Sequence, residues 1–180
     1  MGIMKKNIEK INKELRAQAV KCGLCAQWQG EWDRAMSADT LMQMYVRGID
    51  FCIANDWPTT KYMANNFDKE VLHRNGVWVD SDVRGHENLK TIVLNGCCTG
   101  ELNFSGYDVA TVYVRHGSRV RIRVTDWAIV FVRVYDRAEV EVLNLSYRRQ
   151  SVYTYSDDCT VSYGGDVKIK ERDFAKIYKN

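Results

Sequence analysis

Hydrophobic positions along the chain follow two different periods, one in each half. In the first half they recur at helical spacing. Met4, Ile8, Ile11 and Leu15 form one stripe, with Lys5, Lys6, Glu9, Lys10, Lys13 and Glu14 between them, which predicts an amphipathic helix. That stripe needs a cover: either the rest of its own domain or, in a homo-oligomer, a second subunit. A second helix is predicted over Cys25 to Ala35, with Trp28 and Trp32 one turn apart. Ser37 or Asp39 is placed to cap a third, carrying Leu41, Tyr45, Ile49 and Ile53 up to the break at Asn55-Asp56-Trp57-Pro58. Thr59 or Thr60 starts a fourth through Met63, Phe67, Val71 and Leu72, which Asn75-Gly76 ends. Val77-Trp78-Val79-Asp80 alternates like a strand, and the polar stretch from Asp80 to Leu89, with Gly85, reads as a junction.

Beyond the junction the period falls to two. The segments Val112 to Ile122, Val132 to Val142 and Tyr153 to Tyr163 align at a shift of about 20 residues, with apolar residues alternating on both sides of a polar turn. Ser118, Ala138 and Cys159, all small, occupy the first inward position after that turn, as expected where a coil bends over its own core. Turn signals recur at half this period, at Asn95-Gly96, Gly106, Gly117, Asp126, Asp136, Asp157 and Gly164-Gly165. Asn144 to Gln150, with Arg148-Arg149, departs from the pattern and reads as an inserted loop or an irregular coil. The predicted fold class is α+β: a helical domain over residues 1–80, a short parallel β-solenoid over 90–171 and a C-terminal tail over 172–180. An antiparallel β-sandwich meets the same strand spacing and is the alternative. Val112, Val114, Val120, Ile122, Val132, Val134, Val140, Val142 and Val161 make up the predicted solenoid core.

The runs Gly48 to Pro58, Asn75 to Asp80 and Val134-Tyr135-Asp136-Arg137-Ala138-Glu139-Val140 resemble a set of uncharacterised proteins from gut Bacteroidetes and their phages or mobile elements. Those proteins carry a helical head and a tail of Asp-Asn-Ala-x-Val repeats. The resemblance runs from about Gly23 onward, and Arg137 stands where the pattern has Asn. It implies a β-helical tail and a viral or mobile-element setting, and brings no activity with it.

Composition narrows the function classes. A hydrophobic fraction of 46% with 27% charged residues is that of an ordinary folded chain. The net charge of +3 is too small to imply nucleic acid or a membrane by itself. The N-terminal residues lack the apolar run of a signal peptide, and no later run suits a bilayer, so a cytoplasmic location and no membrane partner are expected. The six cysteines are then expected as free thiols. Cys22 and Cys25 have the spacing of half a zinc site or of a redox pair, but no second ligand pair and no βαβ context accompany them, and no cofactor is expected. His73, His86 and His116 are isolated from any recognisable nucleophile, and His116 occupies a repeat turn where Asp136 stands one copy later. No catalytic residues are assigned, and the protein is expected not to be an enzyme.

One cluster points to binding. Arg115, Arg119, Arg121, Arg123 and Arg133 alternate with apolar positions, and Tyr113, Trp127 and Phe131 lie near them in sequence. On a flat β face such residues track phosphates and stack on bases. Yet Arg119 and Arg121 correspond, one repeat on, to Glu139 and Glu141, which predicts cross-coil ion pairs instead. The functional expectation is a non-catalytic factor that binds a host or self protein, with host-defence inhibition as one version. Nucleic-acid binding through the arginine face is the alternative, and a structural or assembly role the second alternative.

Overall fold

The structure is a computed structural model and describes residues 8–32 and 37–179. The chain divides into two compact units, Met1–Asn75 and Gly76–Asn180.

The first unit contains α1 (Ile8–Lys21), α2 (Ala26–Trp32), α3 (Ala38–Arg47), α4 (Ile49–Asn55), α5 (Thr60–Asn66) and α6 (Lys69–Arg74). Helix α1 buries Ile11, Leu15 and Ala19 within the single chain. Ile11 and Leu15 of the stripe thus pack within their own unit, while Ile8 is half-buried. Met4, Lys5, Lys6 and Ala35 lie outside the described residues. The third predicted helix is two: Gly48 interrupts it, with Leu41 and Tyr45 buried from α3 and Ile49 and Ile53 from α4. The fourth likewise splits into α5 and α6 at the extended Phe67 and Asp68. Ser37 caps α3 by accepting the Thr40 N–H at 3.1 Å, and Thr59 caps α5 through the Tyr62 N–H at 3.2 Å. Asp39, the other candidate cap, ties α3 to α6 instead. It accepts from Arg74 Nε at 2.6 Å and Asn75 Nδ2 at 2.8 Å, and the Arg74 hydrogen bond holds its carboxyl down at about 2.

The second unit contains β1 (Val77–Val79), β2 (Asp82–Val83), β3 (Thr91–Asn95), β4 (Thr99–Phe104), β5 (Val109–Val114), β6 (Arg119–Val124), β7 (Ile129–Val134), β8 (Glu139–Asn144), β9 (Gln150–Thr154), β10 (Thr160–Gly164), β11 (Val167–Glu171) and α7 (Phe174–Tyr178). Odd strands form one sheet in the order β1-β3-β5-β7-β9-β11, and even strands form the other, β10-β8-β6-β4-β2. Every pairing is parallel, so the sandwich alternative is overturned and the chain winds as a β-solenoid of two strands per coil. Inward residues of successive coils stack: Leu94, Val114 and Val134 in one column, Ile92, Val112, Val132 and Val152 in another, Leu102, Ile122 and Val142 in the facing sheet. All of these are inaccessible to solvent, while Val161, on the last even strand, is half-buried. Branched residues suit both roles, because they are stiff in a strand and release water when buried.

Turns explain the remaining pattern. At five successive corners one residue takes a left-handed backbone: Gly96, Gly106, His116, Asp126 and Asp136 have φ of 79, 60, 58, 54 and 56°. Aspartate and histidine tolerate this conformation and also repay it by linking coils. Asp136 Oδ2 accepts the His116 N–H at 2.9 Å, Asp126 Oδ2 the Gly106 N–H at 2.9 Å, and His116 Nδ1 the Gly96 N–H at 2.9 Å. The expected small residues follow: Ser118 and Ala138 are fully buried and Cys159 partly. Gly96 has a further reason to be glycine, because a Cβ there would collide with the Asp80 carboxylate.

The unit boundary shifts, and two other stretches gain detail. The division between units falls at Asn75, so residues 76–89, read as a domain end and a junction, already form the first coil. The polar stretch was misleading because its histidine is internal: His86 Nε2 accepts the Asn103 N–H at 3.0 Å. Residues 145–149 are irregular but insert nothing, since Phe131 still pairs with Ser151. The extra residue lies in the next turn, where Glu139 pairs with Thr160. The C-terminal tail contains a short helix: α7 lays Phe174 and Tyr178 against Tyr135, and the Tyr135 and Tyr178 hydroxyls are 2.9 Å apart.

Candidate binding surface

The arginines separate once the register is known. Arg119, Arg121 and Arg123 face outward from the even sheet, Arg133 faces outward from the odd sheet, and Arg115 sits at a turn. On the even sheet Arg119 lies opposite Glu139 and Arg121 opposite Glu141, with N–O distances of 3.1 and 2.7 Å. Glu101 precedes Arg121 in the same column, so its charge alternates along the solenoid. Arg123 is flanked by Asn103 and Leu143 and makes no ion pair among the described residues. These pairs are exposed, and a double-mutant cycle on Arg121→Ala and Glu141→Ala is expected to give a small favourable coupling in chemical denaturation that shrinks as salt is added. A coupling near zero would make the contact incidental.

The odd sheet uses its cations differently. Arg133 lies over the Tyr113 ring at 5.4 Å, and Lys170 Nζ over the Tyr153 ring at 5.1 Å. The four residues form one outward column, aromatic and cationic side chains alternating. Tyr113 and Arg115 are both buried, and Arg115 Nη1 donates to Asn95 Oδ1 at 3.2 Å. Neither offers a free face for stacking or for phosphate. Tyr135 and Tyr155 stack at 4.5 Å beneath α7.

Trp127 has a different setting. It follows the left-handed Asp126, and the equivalent positions one coil away on either side are Tyr107 and Tyr147. The Trp127 N–H donates to Gly106 O at 2.9 Å and the Tyr147 N–H to Asp126 O at 2.7 Å, which places the three side chains in one column along a solenoid edge. They are exposed by 84% (Tyr107), 48% (Trp127) and 76% (Tyr147), and the Trp127 and Tyr147 rings are 5.0 Å apart. Val109 and Phe131 on the adjoining odd sheet and Leu145 in the next turn add exposed apolar surface. Asp126 and Asp108 below the column are occupied with backbone N–H groups, holding the turns still. The opposite edge carries Cys97, Gly117, Arg137 and Asp158 at the equivalent positions and is polar. An apolar ridge on one edge only is what an oriented contact surface requires. Of its aromatic members Trp127 and Phe131 stood out in the sequence and Tyr107 and Tyr147 did not; the 20-residue spacing of Tyr107, Trp127 and Tyr147 was the available signal.

All six cysteines are free thiols. Cys22, half-buried, receives a weak hydrogen bond from Gln18 Nε2 at 3.7 Å, and Cys25 is exposed at the mouth of an apolar cavity of about 360 Å³ in the helical unit, lined also by Trp28, Trp57 and Cys52. Burial raises the thiols of Cys98 and Cys159. Among the described residues no three or more His, Cys, Asp or Glu side chains converge as a metal would need, and no helix is long and apolar enough to cross a membrane. His116 and Asp136 serve the turn ladder. Compared with family models, with curated proteins and with solved structures, the chain matches none.

Proposed function

We propose that the protein is a non-catalytic recognition factor that binds another protein through the Tyr107, Trp127 and Tyr147 edge of its solenoid. The observation that carries this reading is the exposure of three aromatic rings in register on a backbone whose turns are cross-linked from coil to coil. Rings held this way lose little freedom on binding, and tryptophan and tyrosine are the residues that most often dominate protein contacts. The resemblance to proteins of phages and mobile elements supports a host protein as the partner, with inhibition of host defence as one version. The nucleic-acid reading has less support, because Arg119 and Arg121 are matched by glutamates and Arg115 is buried.

Affinity capture from a gut Bacteroidetes lysate with the wild type and a Tyr107→Ser, Trp127→Ala, Tyr147→Ser variant tests the proposal. The expected result is a discrete protein retained by the wild type and bound at least about 30-fold more weakly by the variant, whose melt is unchanged. Equal capture by both would remove the edge from the interface. Oligonucleotide binding that falls steeply with salt would transfer the function to nucleic acid.

A further inference from the structure

The C-terminal end of the solenoid is open. Strands β10 and β11 terminate the two sheets, each leaving one backbone edge unpaired. The inward columns open there too: Ile169 is 37% exposed where Val132 and Val152 below it are fully buried, and Tyr163 is 54% exposed where Ile122 and Val142 are fully buried. Helix α7 does not close this end, because its rings pack sideways on Tyr135 and Tyr155. Repeat folds normally end in a polar cap, and an uncovered strand edge pairs with whatever complements it.

We propose that this end is covered by the same end of a second copy of the chain, giving an end-to-end dimer. A partner must continue two strands at once, in opposite senses and at the spacing of the two sheets, and a second copy presents that arrangement. Strands on the two faces of a coil run in opposite directions, so a two-fold axis parallel to them lays β11 of each copy antiparallel on β10 of the other. With outward residues facing outward, one register sets Lys168 beside the partner's Ser162 and Lys170 beside the partner's Thr160, and just past the strand ends it brings Arg172 toward the partner's Asp158 in the turn before β10, with the inward Glu171 left at the margin of the seam. Inward, Ile169 meets the partner's Val161 and Val167 meets the partner's Tyr163. The other two-fold arrangement sets β11 on β11 and brings Lys168 against the partner's Lys170, a like-charge contact that disfavours it. Arg172 lies over the Tyr153 ring at 5.4 Å, and neither it nor Asp158 makes an ion pair among the described residues, so the two charges are unmatched within one copy.

Sedimentation equilibrium of the full chain over a broad concentration range tests this, with circular dichroism checking that each variant is folded. The wild type is expected to dimerise and Ile169→Asp to be monomeric. Asp158→Arg and Arg172→Asp are each expected to weaken the dimer about tenfold by creating like-charge pairs, and the double swap to restore it to within about threefold. If Ile169→Asp fails to fold, the three charge variants carry the test. A monomeric wild type, a dimer indifferent to these substitutions, or a double swap no tighter than the singles would overturn the proposal. None of the variants touches the aromatic edge, so the outcome is independent of partner recognition there.

Discussion

Replacing Val134 with aspartate is expected to abolish cooperative unfolding of the β-solenoid. Val134 is completely buried between Val114 and Thr154 in its column and faces the inward residues of the even sheet. The substitution removes the burial of a valine side chain, about 1.5 to 3 kcal/mol, and puts an unpaired carboxyl in its place at a further cost of several kcal/mol. The total is comparable to the whole stability of a domain of this size. Because each coil touches only its neighbours, the damage spreads to both sides of the break. The measurement is a circular-dichroism melt of the full chain, in which the β signal should be lost near room temperature. Val109→Asp, at an exposed outward position two strands back in chain order, is expected to change stability by less than about 0.5 kcal/mol. A V134D melt that coincides with the wild type would mean that the inward and outward faces are exchanged.

Gln150 is expected to be the costliest polar residue to replace. Its side chain is fully buried where residues 145–149 leave the regular turn, and it substitutes for the missing backbone pairing. Oε1 accepts the Val130 N–H at 2.7 Å, while Nε2 donates to Ala128 O at 3.0 Å, to Arg148 O at 2.9 Å and to Ser146 Oγ at 2.9 Å. Leucine of similar size would strand the Val130 N–H and the Ala128 carbonyl, while the Arg148 carbonyl keeps its bonds from Asn144 Nδ2 and Ser146 Oγ, at a cost of about 3 kcal/mol in chemical denaturation. Gln150→Glu separates hydrogen bonding from packing. The new carboxyl would face two carbonyl oxygens in a dry site, which raises its folded-state pKa above the unfolded value of about 4.3. A raised pKa contributes stability that is complete below the unfolded value and is lost as pH rises through the folded one. The Glu variant should therefore lie closest to the wild type near pH 4 and fall away toward pH 7. A deficit independent of pH would show that size alone matters at this position.

The solenoid was legible because its two determinants are written residue by residue. Alternating valine and isoleucine mark the inward face, and aspartate, glycine or histidine mark the left-handed corner. Strand parallelism was not so written: the same alternation serves a sandwich, and only the pairing of Val112 with Val132 decides it. The first coil escaped notice because Val83 and His86 bury inside a stretch that is otherwise polar, a matter of tertiary contact rather than local pattern. In the helical unit the periodicity located the apolar faces but not the break at Gly48, where the same apolar spacing runs on from one helix to the next. As for the surface, the matching of Arg121 to Glu141 followed from the repeat. The burial of Arg115 and Tyr113 did not, because a residue at a turn or beside a bulky column can be covered by neighbours that its own spacing does not reveal.

The corner ladder bears on how such a chain lengthens over generations. Asp126 and Asp136 each satisfy a backbone group of the coil before them, so one corner residue carries the joint between two coils. An in-frame duplication of the segment encoding one coil would be inserted with its inward valines in column and its corners bonded, and with the chain downstream unaltered in register. Such a copy would also lengthen the aromatic ridge by one ring, so that contact area grows in units of whole coils. Lineages carrying this architecture should accordingly differ in length by multiples of the coil period, with Trp127-like positions multiplied alongside, while the helical unit keeps a constant size.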